Sequence, residues 1–302
     1  MKKRFKSKKH KKYTITKIFI IIIFIYTATN LVYKLIYQRY LNTLSNKELI
    51  NLIINNHKQS KNNILNKYIT PKSIIENYFN IENLKTIEVD KEIKEPLVYI
   101  YNTHESESYK DKYLEAYNIK PTVKNMSYIL KDYLEELKIP TIIETKSITK
   151  ILKDNKWSYK YSYKASRSII ESTIKNTNSL KLIIDLHRDS SNLNKTLLEI
   201  NNKKYAKILF VVGAEYKNFE INYKLAETLK NLLELEVPGI TRGITKKSGE
   251  GVNGIYNQDL STSSVLIELG GQYNEIEELN NTLEILAITI SKYIEEIEWK
   301  IQ

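Results

Sequence analysis

The chain has 302 residues, of which 42% are hydrophobic and 27% are charged, a composition typical of folded rather than disordered proteins. It contains no cysteine, which excludes a disulfide framework, a cysteine-ligated zinc site, an iron–sulfur cluster and a thiol nucleophile. The net charge is +12, but residues 1–17 hold nine basic residues and no acidic one, which leaves 38 basic against 35 acidic residues elsewhere. Because nucleic-acid binding requires a basic face on the folded domain, this distribution does not indicate a nucleic-acid partner.

An apolar run follows the basic tail directly. Residues 18–33 are sixteen residues without a charge, which as a helix would span about 24 Å. Uncharged flanking residues and snorkelling lysines extend this length towards the roughly 30 Å of a hydrocarbon core. We therefore expect a transmembrane anchor over residues 18–37. A cleaved signal peptide and a buried core helix are the alternatives, although the run is long for a signal peptide and has no clear cleavage site.

The charge asymmetry also predicts the topology. A strongly basic segment before a membrane helix stays in the cytoplasm, so residues 1–17 form a cytoplasmic tail and the chain after residue 37 is extracytoplasmic. We expect a single-pass protein of the cell membrane, with a partly helical stalk over residues 38–93 and a folded domain over residues 94–302.

The domain over residues 94–302 alternates apolar strands with amphipathic helices. Strands are predicted over residues 97–101, 141–143, 182–186, 208–212 and 265–269, and helices over 122–138, 161–176, 220–235 and about 279–297. Short apolar strands that alternate with amphipathic helices favour an α/β fold, in which helices cover both faces of a mostly parallel or mixed sheet.

Two histidines come directly after apolar strands of this domain. His104 ends the stretch YIYNTH, and His187 ends LIIDLH. Since ligands of open α/β sheets bind at the carboxyl ends of the strands, the two side chains form a candidate metal pair. Glu107 stands three residues after His104, and two imidazoles with one carboxylate are a known catalytic zinc set with an open fourth position. Glu105 competes with Glu107 for the carboxylate position, and the spacing alone decides for neither.

Glu268 interrupts an apolar strand, VLIELGG. A carboxylate within a buried strand costs free energy unless it is paired or lies near a metal, so a catalytic function is favoured over a solvated position. Next to a zinc ion, Glu268 would take a proton from water as general base and return it to the leaving amine. Gly270 and Gly271 follow, and their lack of side chains would let a polymeric substrate approach the backbone.

Further polar residues lie near the same strands and are weaker candidates for substrate binding. The arginines qualify because a guanidinium group pairs well with carboxylates, and the others qualify by their position in the sequence. Ordinary salt bridges are an equally good explanation for each of them. The candidates are Arg188, Asp189, Arg242, Asn257 and Asp259.

Three motifs occur in a specific order along the chain. They read YIYNTHESESY at residues 99–109, DLHRDS at 185–190, and YNQDLS at 256–261 followed by LIELGG at 266–271. In this order they resemble the motifs of the stage II sporulation protein P family, whose members are membrane-anchored cell-wall hydrolases of endospore-forming bacteria. More broadly, the pattern is similar to that of zinc N-acetylmuramoyl-L-alanine amidases. The resemblance covers the N-terminal anchor, the stalk and the domain from about residue 95.

The resemblance implies a three-layer αβα fold with one zinc ion. It implies cleavage of the amide between N-acetylmuramic acid and the stem peptide of peptidoglycan during engulfment. It also implies endopeptidase activity on peptide cross-links and stage II sporulation protein D as partner. Carried over by motif, His104, Glu107 and His187 hold the zinc and Glu268 is the catalytic acid and base. The chain departs from the family at Asn102, where the family usually has histidine. Related amidases also place their ligating glutamate farther along, at a helix start, where residues 121–131 hold no acidic residue.

Three functions are compatible with these residues. The first is a zinc amidase that acts on peptidoglycan. The second keeps the zinc and cleaves peptide cross-links or terminal residues instead. The third is a wall-binding scaffold with a degenerate site, which the intact set of His104, Glu107, His187 and Glu268 disfavours.

Overall fold

The computed structural model describes residues 95–111 and 120–301. The predicted basic tail, anchor and stalk, at residues 1–17, 18–37 and 38–93, lie outside the described residues. Within the described part of the chain, no helix has the length and apolar character that a membrane span requires.

Eight strands and six α-helices make up the described domain. The strands are β1 (Val98–Tyr101), β2 (Thr141–Ile143), β3 (Leu182–Asp189), β4 (Leu197–Ile200), β5 (Lys203–Ala206), β6 (Ile208–Gly213), β7 (Thr241–Lys247) and β8 (Ser264–Gly271). The helices are α1 (Val123–Glu136), α2 (Ile148–Asp154), α3 (Ser162–Asn176), α4 (Leu193–Thr196), α5 (Phe219–Glu236) and α6 (Ile276–Ile301). Short 3₁₀ turns precede α3 at Tyr159–Tyr161 and β8 at Gln258–Leu260.

The central sheet has six strands in the order β2-β1-β3-β8-β6-β7. Strands β2, β1, β3 and β8 pair in parallel, and β6 pairs in antiparallel with β8 and in parallel with β7. The sheet is therefore mixed. The carboxyl ends of β1, β3 and β8 meet at one edge, and the site described below lies there.

Helices cover both faces of the sheet, as predicted, and this gives three layers. On one face, Leu182, Ile184 and Leu186 of β3 pack with apolar residues of α1, α5 and α6 in the main core. On the other face, Ile183 packs with Ile170 of α3, and α2 packs on α3 through a separate apolar cluster. Because side chains alternate along a strand, Asp185 and His187 share the α3 face with Ile183.

All nine predicted elements are present in the structure, but five others were not predicted, namely α2, α4, β4, β5 and β7. Strands β4 and β5 form a separate hairpin whose turn is Asn201–Asn202, both with positive φ, a combination typical of type I′ turns. Strand β7 reads TRGITKK and lies at the edge of the sheet. Edge strands need fewer apolar residues, so β7 has no apolar run that could have revealed it.

Candidate metal centre

Two adjacent parallel strands bring the two histidines together. Tyr101 at the end of β1 pairs with Asp185 of β3, so His104 and His187 both lie just beyond the same edge. The backbone turns sharply after β1, and the Glu107 amide donates a hydrogen bond to the His104 carbonyl at 2.9 Å. The two imidazole rings end 5.1 Å apart between centroids, at 76°.

Glu107 lies between the two histidines. Its Oε1 is 3.5 Å from His104 Nδ1, and its Oε2 is 3.6 Å from His187 Nδ1. The donor atoms of these three residues all lie within 4.8 Å of one another, a possible His/Glu/His metal site. Tetrahedral ligands about 2.1 Å from a zinc ion are about 3.4 Å apart. The donor spacing therefore fits such an ion.

Opposite charges stabilise the cluster. Burial alone would raise the pKa of Glu107, but hydrogen bonds with His104 and His187 and from the Arg188 amide lower this pKa well below its usual range. Burial alone would lower the pKa of His187, but Asp185 and Glu107 outweigh it and raise this pKa well above the ordinary value. A cation that binds here therefore takes the place of a proton on His187.

Asp185 supports His187 from behind, which the sequence reasoning missed. His187 Nε2 lies 2.8 Å from Asp185 Oδ1, as an ionic contact rather than an aligned hydrogen bond. The carboxylate also accepts hydrogen bonds from the Thr103 amide (2.9 Å) and hydroxyl (2.8 Å). A carboxylate behind a metal-facing histidine orients the ring and raises its basicity. The signal was in the sequence, because Asp185 interrupts an apolar strand two residues before His187.

Glu105 faces away from the histidines. Its carboxylate accepts hydrogen bonds from Lys124 Nζ at 3.1 Å and from the Thr149 amide at 2.8 Å, and also from the Ser147 hydroxyl at the start of α2. Burial alone would raise the pKa of Glu105, but these partners lower it. Of the two competing glutamates, the structure therefore places Glu107 with the histidines.

Asn102, which stands where the family usually has histidine, has partners outside the cluster. Its Nδ2 donates to the Leu186 carbonyl at 2.7 Å, and its Oδ1 accepts from the Ser127 hydroxyl at 3.1 Å. The side chain thus links β1 to β3 and α1. It connects the strands that position the histidines.

Glu268 lies beside His187 on the neighbouring strand, because these two residues are paired in the β3–β8 register. Its Oε2 is buried and has no hydrogen-bond partner. Burial raises the pKa of Glu268 to about 7; the nearby His187 lowers this pKa, and the carboxylates of Glu107 and Asp189 raise it. A buried carboxylate oxygen without a hydrogen-bond partner is costly, and a carboxyl group with a pKa near 7 is well suited to exchange a proton near neutral pH.

The expectation that Gly270 and Gly271 leave room for a substrate is wrong. Gly270 has φ +60°, and a Cβ there would lie 2.6 Å from Asn274 Oδ1. A Cβ on Gly271 would lie 2.6 Å from the Ser191 carbonyl. Both glycines are therefore required by close contacts within the protein.

The five weaker candidates for substrate binding use their polar groups within the protein. The Arg188 amide donates to Glu107 at 3.0 Å and its Nε donates to the Ser108 carbonyl at 2.8 Å. The other four candidate residues lie in two hydrogen-bonded clusters, one around Arg242 and one around Arg167. Asp189 pairs with Arg242, Asp259 pairs with Arg167, and Asn257 donates to the Tyr163 carbonyl and the Ser166 hydroxyl.

Aromatic rings surround the histidines on the α3 side, and the sequence reasoning did not single them out. Tyr159 stacks on His104 with 4.6 Å between ring centroids, and Tyr163 lies 6.4 Å from the His187 ring in a nearly parallel plane. Tyr256 packs edge-on against Tyr163 at 5.2 Å. Burial and the Glu107 charge raise the pKa of Tyr159 to about 12, so its hydroxyl stays protonated at neutral pH.

Structural comparison finds three solved structures at low sequence identity, each with a TM-score below 0.5. The CwlD amidase of Clostridioides difficile, solved in complex with the GerS lipoprotein, is 15% identical, with a TM-score of 0.44 over 66% of this chain and 98% of that chain. Cwp6 from Clostridium difficile is 14% identical, with a TM-score of 0.41 over 65% and 29%. A metallo-carboxypeptidase from Burkholderia cenocepacia is 10% identical, with a TM-score of 0.42 over 71% and 60%.

Sequence comparison identifies the family. The stage II sporulation protein P of Bacillus subtilis (strain 168) is 35% identical over 203 residues, which are 65% of this chain and 50% of that protein. The chain thus spans about half the length of this curated relative. The model of the family "Stage II sporulation protein P (SpoIIP)" matches residues 23–291. Since this match covers most of the sequence, the chain belongs to the stage II sporulation protein P family.

Proposed function

We propose that the chain is a zinc-dependent hydrolase of peptidoglycan, an N-acetylmuramoyl-L-alanine amidase that remodels the cell wall during sporulation engulfment. One observation carries the proposal: three metal-ligand side chains, His104, Glu107 and His187, converge within 4.8 Å, and Glu268, whose Oε2 is buried without a hydrogen-bond partner, is the strand neighbour of His187. Membership of the sporulation family supports the cell wall as the substrate.

The residues present fit zinc. Imidazole nitrogen and carboxylate oxygen are among its usual ligands, and two histidines with one glutamate leave a fourth position open. His104, Glu107 and His187 would hold the ion, and Asp185 would orient His187. When bound, zinc acts as a Lewis acid on a carbonyl and lowers the pKa of water to about 7.

Glu268 would move the proton. In its ionised form it takes a proton from the attacking water, and the water oxygen then adds to the amide carbon. The protonated Glu268 next gives this proton to the amide nitrogen as the carbon–nitrogen bond breaks, so the amine leaves neutral. The carboxylate is thereby restored. A pKa near 7 suits both transfers, because neither protonation state is strongly favoured.

The products on purified sacculi, analysed by mass spectrometry, test the proposal. An amidase releases stem peptides with a free N-terminal alanine and leaves lactyl carboxylates on the glycan. A peptidase, which is the alternative that the same donor set allows, leaves shortened or uncrosslinked peptides attached to the sugar. An unchanged sacculus would identify a non-enzymatic scaffold and contradict the proposal.

The membrane location of the proposed enzyme follows from the charge asymmetry before residue 18. A reporter fused after residue 60 should be extracytoplasmic and should fractionate with membranes, because nine basic residues precede the apolar run. Protease accessibility on intact cells and fractionation measure this. Accessibility of the fusion only from the cytoplasm would contradict both the topology and a wall substrate.

Outside the membrane, stage II sporulation protein D is the proposed partner.

Asp185→Asn should weaken zinc binding by about 10–100-fold, the usual cost of losing a carboxylate behind a metal-bound histidine. The asparagine keeps the size and one acceptor oxygen for Thr103 but has no negative charge to favour the His187 tautomer. Competition with a chromophoric chelator measures the affinity. Asp259→Asn, which removes a carboxylate paired with Arg167, is the matched control and should bind zinc normally. Unchanged affinity in Asp185→Asn would limit Asp185 to a structural role.

A further inference from the structure

An exposed aromatic segment lies beside His104, between α2 and α3. Residues 157–161 carry three aromatic rings in five positions: Trp157, Tyr159 and Tyr161. Tyr159 is 54% exposed and Tyr161 is 40% exposed. Because one face of Tyr159 stacks on His104, the segment is continuous with the candidate metal centre. Exposed aromatic side chains next to a site commonly mark a binding surface.

The segment is held in place before any ligand binds. The Trp157 amide donates to the Leu152 carbonyl of α2 at 2.8 Å, and the Trp157 ring packs on the apolar cluster between α2 and α3. The Ser162 hydroxyl donates to the Tyr159 carbonyl at 2.7 Å. Trp157 and Tyr161 lie 6.0 Å apart between centroids. A ligand would therefore lose little binding free energy to ordering the surface.

Positive charge lies over the same rings. Lys164 Nζ is 4.4 Å from the Trp157 ring centroid, and Lys160 Nζ is 5.1 Å from that of Tyr161. Residues 155–170 contain Lys156, Lys160, Lys164 and Arg167 and no acidic residue. The surface therefore combines flat apolar faces with ammonium groups, which suits a ligand that is both ring-shaped and anionic.

We propose that this segment binds the glycan strand of peptidoglycan and so positions the substrate; this rests on the proposed function. Pyranose rings present flat C–H faces that stack on tyrosine and tryptophan. Their lactyl groups carry carboxylates wherever the stem peptide has been removed, and these pair with Lys160 and Lys164. The scissile amide is attached to its sugar through the short lactyl arm. A sugar ring must therefore lie close to His104 whenever this amide reaches the metal site.

The test uses soluble glycan strands from which all stem peptides have been removed, titrated into the full-length chain. The chain has two tryptophans, so Trp299→Phe leaves Trp157 as the only tryptophan, whose emission is followed with excitation that does not excite tyrosine. The replaced residue, Trp299, lies near the carboxyl end of α6, roughly 34 Å along that helix from its first residue. We expect a saturable change of Trp157 fluorescence that weakens with added salt.

Tyr161→Ala in this background should weaken glycan binding about tenfold, as loss of an aromatic anchor does, and Tyr161→Phe should restore it. Tyr273→Ala is the matched control, because Tyr273 is also exposed (38%) and also has a lysine over its ring, and it should bind normally. Equal binding by Tyr161→Ala and the parent, or a Trp157 response to free stem peptide but not to glycan, would overturn the inference.

The probe separates this inference from the proposed function because it contains no scissile amide. If binding fails while sacculi are still cleaved to amidase products, only the inference is wrong. If Trp157 reports glycan binding while no product is released from sacculi, the surface is real and the proposed hydrolysis is wrong.

Discussion

Glu268→Gln should lower turnover on purified sacculi by about 10²–10⁴-fold, the usual contribution of a general acid or base. Glutamine keeps the size and the hydrogen-bonding groups of the side chain but cannot transfer a proton at neutral pH. Zinc content should stay near that of the unchanged chain, because Glu268 is outside the donor set of His104, Glu107 and His187. Product release and metal content of the same preparation measure the two quantities.

Glu278→Gln is the matched control for this variant. Glu278 is also a largely buried glutamate whose pKa is raised by burial, but it lies in the first turn of α6 and accepts a hydrogen bond from Asn274 at 2.8 Å. Its variant should retain activity. A Glu268→Gln chain that keeps most of its activity would show that Glu268 is structural, and Asp189, whose charge acts on Glu268, would then be the next candidate for the base.

The pH profile gives a second readout for Glu268. Only its ionised form accepts a proton, so activity should fall at acidic pH, and the residual activity of Glu268→Gln should lack this acidic limb. The pKa of Glu268 is about 7 without metal, and a bound zinc cation lowers it, so the midpoint of the limb should lie below 7. Protonation of His187 also opposes metal binding at low pH. The profile is therefore measured at saturating zinc, where loss of metal does not contribute.

The sequence contained enough information to locate the site but not to orient its side chains. His104 and His187 each follow an apolar strand, and adjacent parallel strands deliver both to one edge. Glu105 and Glu107 could not be separated in the sequence, because the partners that decide between them come from elsewhere in the chain. Lys124 belongs to α1, whereas Thr149 lies in α2, an element that was not predicted.

The sequence likewise indicated Glu268 and Asp185 without showing how their side chains are surrounded. Glu268 was recognised because a carboxylate within an apolar strand is anomalous, and Asp185 is anomalous for the same reason. Their different surroundings appear only in three dimensions: Asp185 has Thr103 as donor, whereas Glu268 Oε2 has no partner. Tyr159 and Tyr163 gave no signal in the sequence, because tyrosine occurs 23 times in the chain and only tertiary contacts single out these two.

His187→Ala should abolish both zinc binding and activity. Two protein ligands would remain, Glu107 and His104, and catalytic zinc sites ordinarily use three. The variant differs from Glu268→Gln in this double loss, and metal analysis of the purified chain detects it. In a thermal melt, a chelator should destabilise the zinc-loaded unchanged chain, because bound metal stabilises the folded state. The His187→Ala chain has no metal to lose and should be insensitive to the chelator.

His57→Ala is the control for a general effect of losing a histidine. His57 lies in the predicted stalk among polar residues, and its replacement should change neither zinc content nor chelator sensitivity. Removing the His187 ring also leaves Asp185 buried without its cationic neighbour, so some loss of stability is expected in the metal-free state as well. Chelator sensitivity, unlike the melting temperature alone, separates this structural cost from the loss of a metal ligand. A His187→Ala chain that still binds one zinc and still responds to the chelator would contradict the proposed ligand set.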